Sequence, residues 1–172
     1  DFQIDNVATA IAVVRNLKQV QVKNYHIKKA IQKIRSEGRL QNITKGKLRK
    51  YVSKNNKILI DGAHNTLAAT VVEKYLKTLN SKYKIIMLLG MMANKEHKKF
   101  IQIFENRIHS IITLDIPNQI NCIGKEKLSK IATSCGMISK TERSIELALK
   151  NIAKEHESAI IFCTGSLYFA GE

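Results

Sequence analysis

A short apolar run that ends on a tight turn and passes straight into an amphipathic pattern constrains this chain more than any other feature. Residues 57–76 read KILIDGAHNTLAATVVEKYL. Ile58, Leu59 and Ile60 form a run of the kind that fills a parallel strand covered on both faces. The run stops at Asp61-Gly62. Past Asn65, Leu67, Val71, Val72 and Tyr75 recur at helical spacing, and Leu76 and Leu79 extend the stripe. A strand that turns into a helix N-terminus leaves unpaired backbone N–H groups at the strand's carboxyl end, where ligands bind in open α/β sheets. Asp61, Gly62, His64 and Asn65 converge on that spot. The turn is too short for a phosphate loop, and the chain contains neither GxxxxGK(S/T) nor GxGxxG. The phosphates of any nucleotide bound here must be held largely by something else.

The same unit repeats along the chain. The spacing predicts a helix over 5–17 and a second over 25–34 capped by Asn24. Two such helices cannot close a core alone, so their apolar faces are candidate exposed patches. A joint follows at 35–39. Beyond it the pattern predicts an edge strand over 40–43, a basic turn, the strand 58–60 and a helix over 66–79. Next come a strand over 85–89 closing on Gly90, a helix over 95–104 and a strand over 111–114. A loop around Pro117, a helix over 125–134, a short strand around Met137-Ile138 and a helix over 144–156 follow. A last strand over 159–162 runs out at Thr164-Gly165-Ser166. Strand–helix alternation with short links predicts an α/β fold, a mostly parallel sheet with helices on both faces, from about residue 38 onward. The apolar stripes read as core, and none of them asks for a cofactor.

A formal net charge of +15 on 172 residues raises a nucleic-acid-binding α/β domain as an alternative. Lysines far outnumber arginines and are spread throughout, although residues 45–50, KGKLRK, concentrate them locally. Aromatics make up only 6% of the chain and Trp is absent, so a base-stacking platform is poorly supplied. A dedicated nucleic-acid role is therefore not expected. No apolar stretch is long enough to suggest a membrane span. Cys122, Cys135 and Cys163 fit neither a disulfide framework nor a zinc site, which points to a reducing cytoplasm. His26, His97, His109 and His156 have no metal-ligand spacing. The opening DFQIDN has no signal-peptide character and reads as the interior of a longer protein.

Five landmarks, in order, carry a resemblance. Gln3 and Asn6 resemble an HQxxN segment, Gly38-Arg39-Leu40-Gln41 a WPGRLQ joint, and Asp61-Gly62-Ala63-His64-Asn65 the motif DGAHN. Gly90 and Lys95 lie where a Gly-rich strand end and a DKD-like sequence are found, and Cys163-Thr164-Gly165-Ser166-Leu167-Tyr168 resembles VTGSLYL. Together they resemble the C-terminal part of folylpolyglutamate synthases and bifunctional dihydrofolate synthases of the Mur ligase superfamily. This chain departs from the pattern at Ser36-Glu37, where the family has Trp-Pro, at Thr66, where it has Pro, and at Cys163, where it has Val.

The resemblance implies a Rossmann-like sheet of the Mur ligase C-terminal type over 38–172, with 1–37 as the tail of a central ATPase domain and linker. It implies an enzyme that activates an acid with ATP to an acyl phosphate, which the amine of glutamate attacks. ATP and Mg2+ would be the cofactors, held mainly by a central domain absent here. L-glutamate and dihydropteroate or a reduced folate would be the substrates, the enzyme would be a cytoplasmic monomer, and the chain alone would not turn over ATP. A Mur-type domain acting on a peptidoglycan precursor is a further alternative. On the resemblance, Arg39, Asp61 and Asn65 would contact the nucleotide. His64, Lys95 and Ser166 would meet phosphate or glutamate, with His64 as the catalytic candidate. Each has a plainer role beside it. Arg39 would make a surface salt bridge, Asp61 and His64 would finish the turn, Asn65 and Ser166 would cap helices, and Lys95 would be solvated.

Overall fold

The computed structural model describes residues 4–34 and 37–171. Gln3 and Ser36 lie outside the described residues. The chain divides into two compact units, Asp1–Glu37 and Gly38–Glu172.

The first unit holds helices α1 (Ile4–Asn16) and α2 (Asn24–Lys33). Asn24 does not cap the second helix, because its Oδ1 is taken by Arg15 Nη2 at 3.1 Å. It is the first helical residue, and the cap position falls to Lys23, whose N–H donates to His26 Nδ1 at 3.2 Å. No residue of either helix is buried. Val7, Ile11 and Val14 line an open apolar groove with Ile27, Ala30 and Ile31.

The second unit is built on a six-stranded sheet. Its strands are β1 (Gln41–Asn42), β2 (Lys57–Ile60), β3 (Lys84–Leu89), β4 (Ser110–Thr113), β5 (Ser139–Thr141) and β6 (Ala159–Thr164). Their spatial order is β1-β2-β6-β3-β4-β5. β1 runs antiparallel at one edge and every other pairing is parallel. Helices α3 (Thr66–Thr78), α4 (His97–Gln102), α5 (Lys125–Ser134), α6 (Ile145–Glu155) and α7 (Leu167–Ala170) follow successive strands.

The period-two alternation of the central strands decides which side each residue serves. Leu59, Ile85, Met87, Ile160 and Phe162 face one way and meet Val72 and Leu76 of α3, Phe100 of α4 and Leu128 of α5. Ile58, Ile60, Ile86, Leu88 and Ile161 face the other way, against Leu149 and Ile152 of α6 and Phe169 of α7. Phe100, Phe104 and Phe162 pack at ring-centroid separations of 5.3 and 6.1 Å. Burying each such side chain contributes roughly 1.5–3 kcal/mol.

The departures from the predicted elements are local. The basic turn after β1 contains a 3₁₀ helix, Lys47–Tyr51, that tucks Leu48 and Tyr51 against the α6 side of the core. The predicted strand at Met137-Ile138 lies at Ser139–Thr141, because Met137 turns into the core while Ile138 is exposed. The predicted helix over 95–104 is shorter, α4. Among the described residues no helix is long and apolar enough to cross a membrane.

Candidate functional site

Because β2, β6 and β3 are neighbours, their carboxyl ends open on one edge of the sheet, and the turns that leave them are stitched together. Asp61 N–H donates to the Cys163 carbonyl at 2.9 Å, and Gly165 N–H donates to the Ala63 carbonyl at 2.9 Å. Gly90 N–H reaches the Thr164 carbonyl at 3.3 Å. Gly165 carries φ +108°, and a methyl group there would lie 2.5 Å from the Gly90 carbonyl oxygen. A side chain at 165 would therefore separate the turns after β6 and β3.

Asp61 is 3% exposed. Its Oδ1 accepts from Ala63 N–H at 2.7 Å and its Oδ2 from Leu40 N–H at 2.9 Å. The first bond closes the Asx-type turn that aspartate often makes two residues on. The second reaches back to the loop before β1. Burial pushes the Asp61 carboxyl above its ordinary 3.8, against the opposing pull of those two N–H groups and of the Arg39 charge. The 38–41 loop is tied down twice more. Gly62 N–H donates to the Gly38 carbonyl at 2.7 Å, and Gly38 N–H donates to Gln41 Oε1 at 2.9 Å.

His64 is half-buried, with Nδ1 3.0 Å from the Gly62 carbonyl. A carbonyl only accepts, so Nδ1 carries the proton and Nε2 is left for other partners. Asn65 caps α3, its Oδ1 accepting from Ala68 N–H at 2.9 Å. Ser166 is 3% exposed and caps α7, its Oγ accepting from Tyr168 N–H at 3.1 Å. That cap uses a lone pair and leaves the hydroxyl proton to donate elsewhere. Lys95 is half-buried in the turn between β3 and α4, where its carbonyl accepts from His97 N–H at 3.0 Å. Among the described residues its ammonium makes no ion pair.

Arg39, Asp61, His64 and Asn65 therefore lie on two hydrogen-bonded turns, and Ser166 joins them through the bond from Gly165 to Ala63. Lys95 shares the edge by way of β3 without a hydrogen bond to the other five. Two contributors escaped the sequence reading, the Gly38 carbonyl and the Leu40 N–H. The glycine hinted at the first, and nothing local announces the second. Among the described residues no group of three His, Cys, Asp or Glu is arranged to hold a metal. Cys163 is buried and its thiol is pushed up to about 12, so it packs rather than reacts. The donors at this edge, a guanidinium, an ammonium, an imidazole and a hydroxyl, suit anionic ligands.

A mostly parallel sheet with one antiparallel edge strand and helices on both faces is the architecture of the Mur ligase C-terminal domain. The bifunctional folylpolyglutamate synthase/dihydrofolate synthase from Yersinia pestis, solved with AMPPNP and Mn ion, superposes with a TM-score of 0.76 at 18% identity. The match covers 97% of this chain and 37% of that one. E. coli FolC in complex with DHPP and ADP superposes with a TM-score of 0.73 at 19% identity, covering 96% of this chain and 36% of that one. At these identities the likeness is one of fold. In sequence, residues 41–172 match the dihydrofolate synthetase C-terminal domain, and the chain belongs to that family. The dihydrofolate synthase/folylpolyglutamate synthase of Buchnera aphidicola subsp. Acyrthosiphon pisum (strain APS) is 26% identical over 164 residues, 92% of this chain and 36% of that protein. The chain thus spans about a third of the length of the relatives it matches.

Proposed function

We propose that this chain is the lid and acceptor part of an ATP-dependent ligase that adds L-glutamate to dihydropteroate, reduced folates or both. The family match over 41–172 carries this reading. The convergence of cationic and hydroxyl donors on one sheet edge supports it. In such a reaction the substrate carboxylate takes the terminal phosphoryl group of ATP. The glutamate nitrogen then bonds to the acyl carbon as the carbon–oxygen bond to phosphate breaks, and a proton leaves the amine. ATP supplies the phosphoryl group and Mg2+ offsets its charge, both held mainly by a central ATPase domain to which 1–37 would be the tail and linker.

The residues of this chain orient and exclude water. Arg39 offers a planar fork of donors to phosphate oxygens when the domains close. Asp61 and Asn65 hold the turn that faces the nucleotide. With Nδ1 held on the Gly62 carbonyl, His64 has Nε2 left to meet the incoming amine, which makes it the catalytic candidate. Ser166 donates its free proton to a carboxylate of glutamate, and Lys95 pairs with an anionic group at the same edge. Closing this edge over the acyl phosphate keeps out water that would hydrolyse it.

The test uses the full-length parent enzyme carrying His64→Ala or Ser166→Ala. Both variants are expected to fold, to lose turnover and to require more glutamate, with the ATP requirement little changed. An equal loss at every glutamate concentration for both would remove the acceptor assignment.

A further inference from the structure

The turn between β3 and α4 carries Lys95 and is fastened at its two ends by different means. On the strand side, Ala93 N–H donates to the Asn121 carbonyl at 2.8 Å and Ile123 N–H to the Met91 carbonyl at 3.0 Å, around an antiparallel bridge between Met92 and Cys122. On the helix side, Glu96 stands at the cap position of α4, yet its side chain makes no cap bond and pairs with Lys99 instead. The next residue supplies the missing tie. His97 is half-buried, and its Nε2 lies 2.9 Å from the carbonyl of Met92. A carbonyl only accepts, so Nε2 is the donor. The His97 backbone N–H donates to the Lys95 carbonyl at 3.0 Å. One residue therefore closes the 92–97 turn through both its ring and its backbone, with Lys95 inside the loop.

An ammonium on a flexible four-carbon stem reaches only what its backbone anchor allows. Lys95 is half-buried, and among the described residues it makes no ion pair. The bond from Gly90 N–H to the Thr164 carbonyl sets the β3 exit beside the one that carries Ser166. We propose that His97 is a positioning residue: its ring clasps the start of α4 to the start of the 92–97 turn and thereby sets where Lys95 stands at the sheet edge to meet an anionic group. Lys95 is then the residue that touches the ligand, and His97 acts through it. That the anion is a carboxylate of glutamate or a phosphoryl group of the nucleotide rests on the proposed function; the clasp does not.

Two arms test this. In the 172-residue chain, His97→Leu removes the donor, and His97→Gln keeps an amide N–H at a similar reach. With leucine, hydrogen exchange at the Ala93 amide and at the amide of position 97 is expected to quicken about tenfold or more, and with glutamine to stay within about threefold of the unaltered chain. Amides of β3 and β6 should keep their protection in both. Unchanged exchange with leucine, or glutamine no better than leucine, overturns the proposal. The unaltered chain gives a reading that needs no variant to fold. Long-range proton–nitrogen spectra should place a proton on His97 Nε2, and a ring protonated at Nδ1 alone overturns the proposal.

In the full-length parent, Lys95→Ala is expected to raise the KM for glutamate or for ATP. His97→Leu should raise that same KM by about fivefold or more, with His97→Gln restoring most of it. A rise for glutamate marks the anion as its carboxylate, and a rise for ATP marks it as phosphoryl. The double variant should be no worse than Lys95→Ala alone. A Lys95→Ala change that moves neither KM, a His97→Leu loss confined to kcat, or losses that multiply in the double variant overturn the proposal. A parent without ligase activity whose 172-residue chain shows the expected exchange changes refutes the functional reading and leaves the clasp standing. An active parent whose chain lacks those changes does the reverse.

Discussion

Replacing Gly165 by alanine probes the contact that brings the turns after β6 and β3 together. Two terms add. An alanine at φ +108° is strained by about 1–3 kcal/mol. Its methyl would also sit 2.5 Å from the Gly90 carbonyl oxygen and 2.8 Å from Leu89 Cδ1 and Met91 Cγ. Backbone cannot swing away as a side chain does, so relief of that crowding costs a further ~1–3 kcal/mol. Loss of chain entropy in the unfolded state returns about 0.4–1 kcal/mol. The net is a destabilisation of roughly 1–5.6 kcal/mol, set against the ~5–15 kcal/mol typical of a domain. Two controls separate the terms. Gly136 has φ +79° with nothing within 4 Å of an added methyl, so Gly136→Ala reports the strain alone. At Gly171 an added methyl would meet only ordinary contacts at 3.6 and 3.7 Å, so Gly171→Ala should be near neutral. Urea unfolding followed by circular dichroism should rank the losses 165, 136, 171. A Gly165→Ala loss no larger than that of Gly136→Ala would refute the claim that the two strand exits meet backbone to backbone.

Phe162→Ala, at a fully buried ring between Phe104 and the α3–α5 side of the core, should cost about 3–5 kcal/mol in the same assay. His156 supplies a pH test. Desolvation first, then Lys84, hold its pKa below the ordinary 6.5. The folded state therefore binds that proton less readily than the unfolded one. Its contribution to stability is complete above 6.5 and is lost as the pH falls from there through the lower folded value. Urea midpoints measured across that window should decline with acid, and His156→Gln should flatten the decline. A parallel decline in the variant would exonerate His156.

How much of this was legible in the sequence follows from which forces are local. β2, β3, β4 and β6 are apolar runs because they are buried on both faces, and they stand where the runs predicted them. β5 is an edge strand whose Ser139, Lys140 and Thr141 pair by backbone alone, so its sequence advertised the neighbouring Met137-Ile138 instead. The 3₁₀ helix hid behind its lysines, since only Leu48 and Tyr51 pack. The Asp61 turn was readable as far as Ala63, two residues on. The bond to Leu40 spans 21 residues and exists only because β1 returns antiparallel beside β2. For Asn65 and Ser166 the capping role drawn from sequence is what the local geometry displays. Their ligand roles depend on what occupies the edge.

The measurement that bears most directly on the whole account is ATP-dependent glutamate incorporation by the full-length parent. Dihydropteroate and a reduced folate serve as acceptors, and the 172-residue chain is assayed in parallel. The expected result is glutamylated product from one or both acceptors, with one ADP and one phosphate per bond formed, and no ATP turnover by the chain alone. A parent that ligates neither folate acceptor but extends a peptidoglycan precursor, or a chain that hydrolyses ATP unaided, would contradict it.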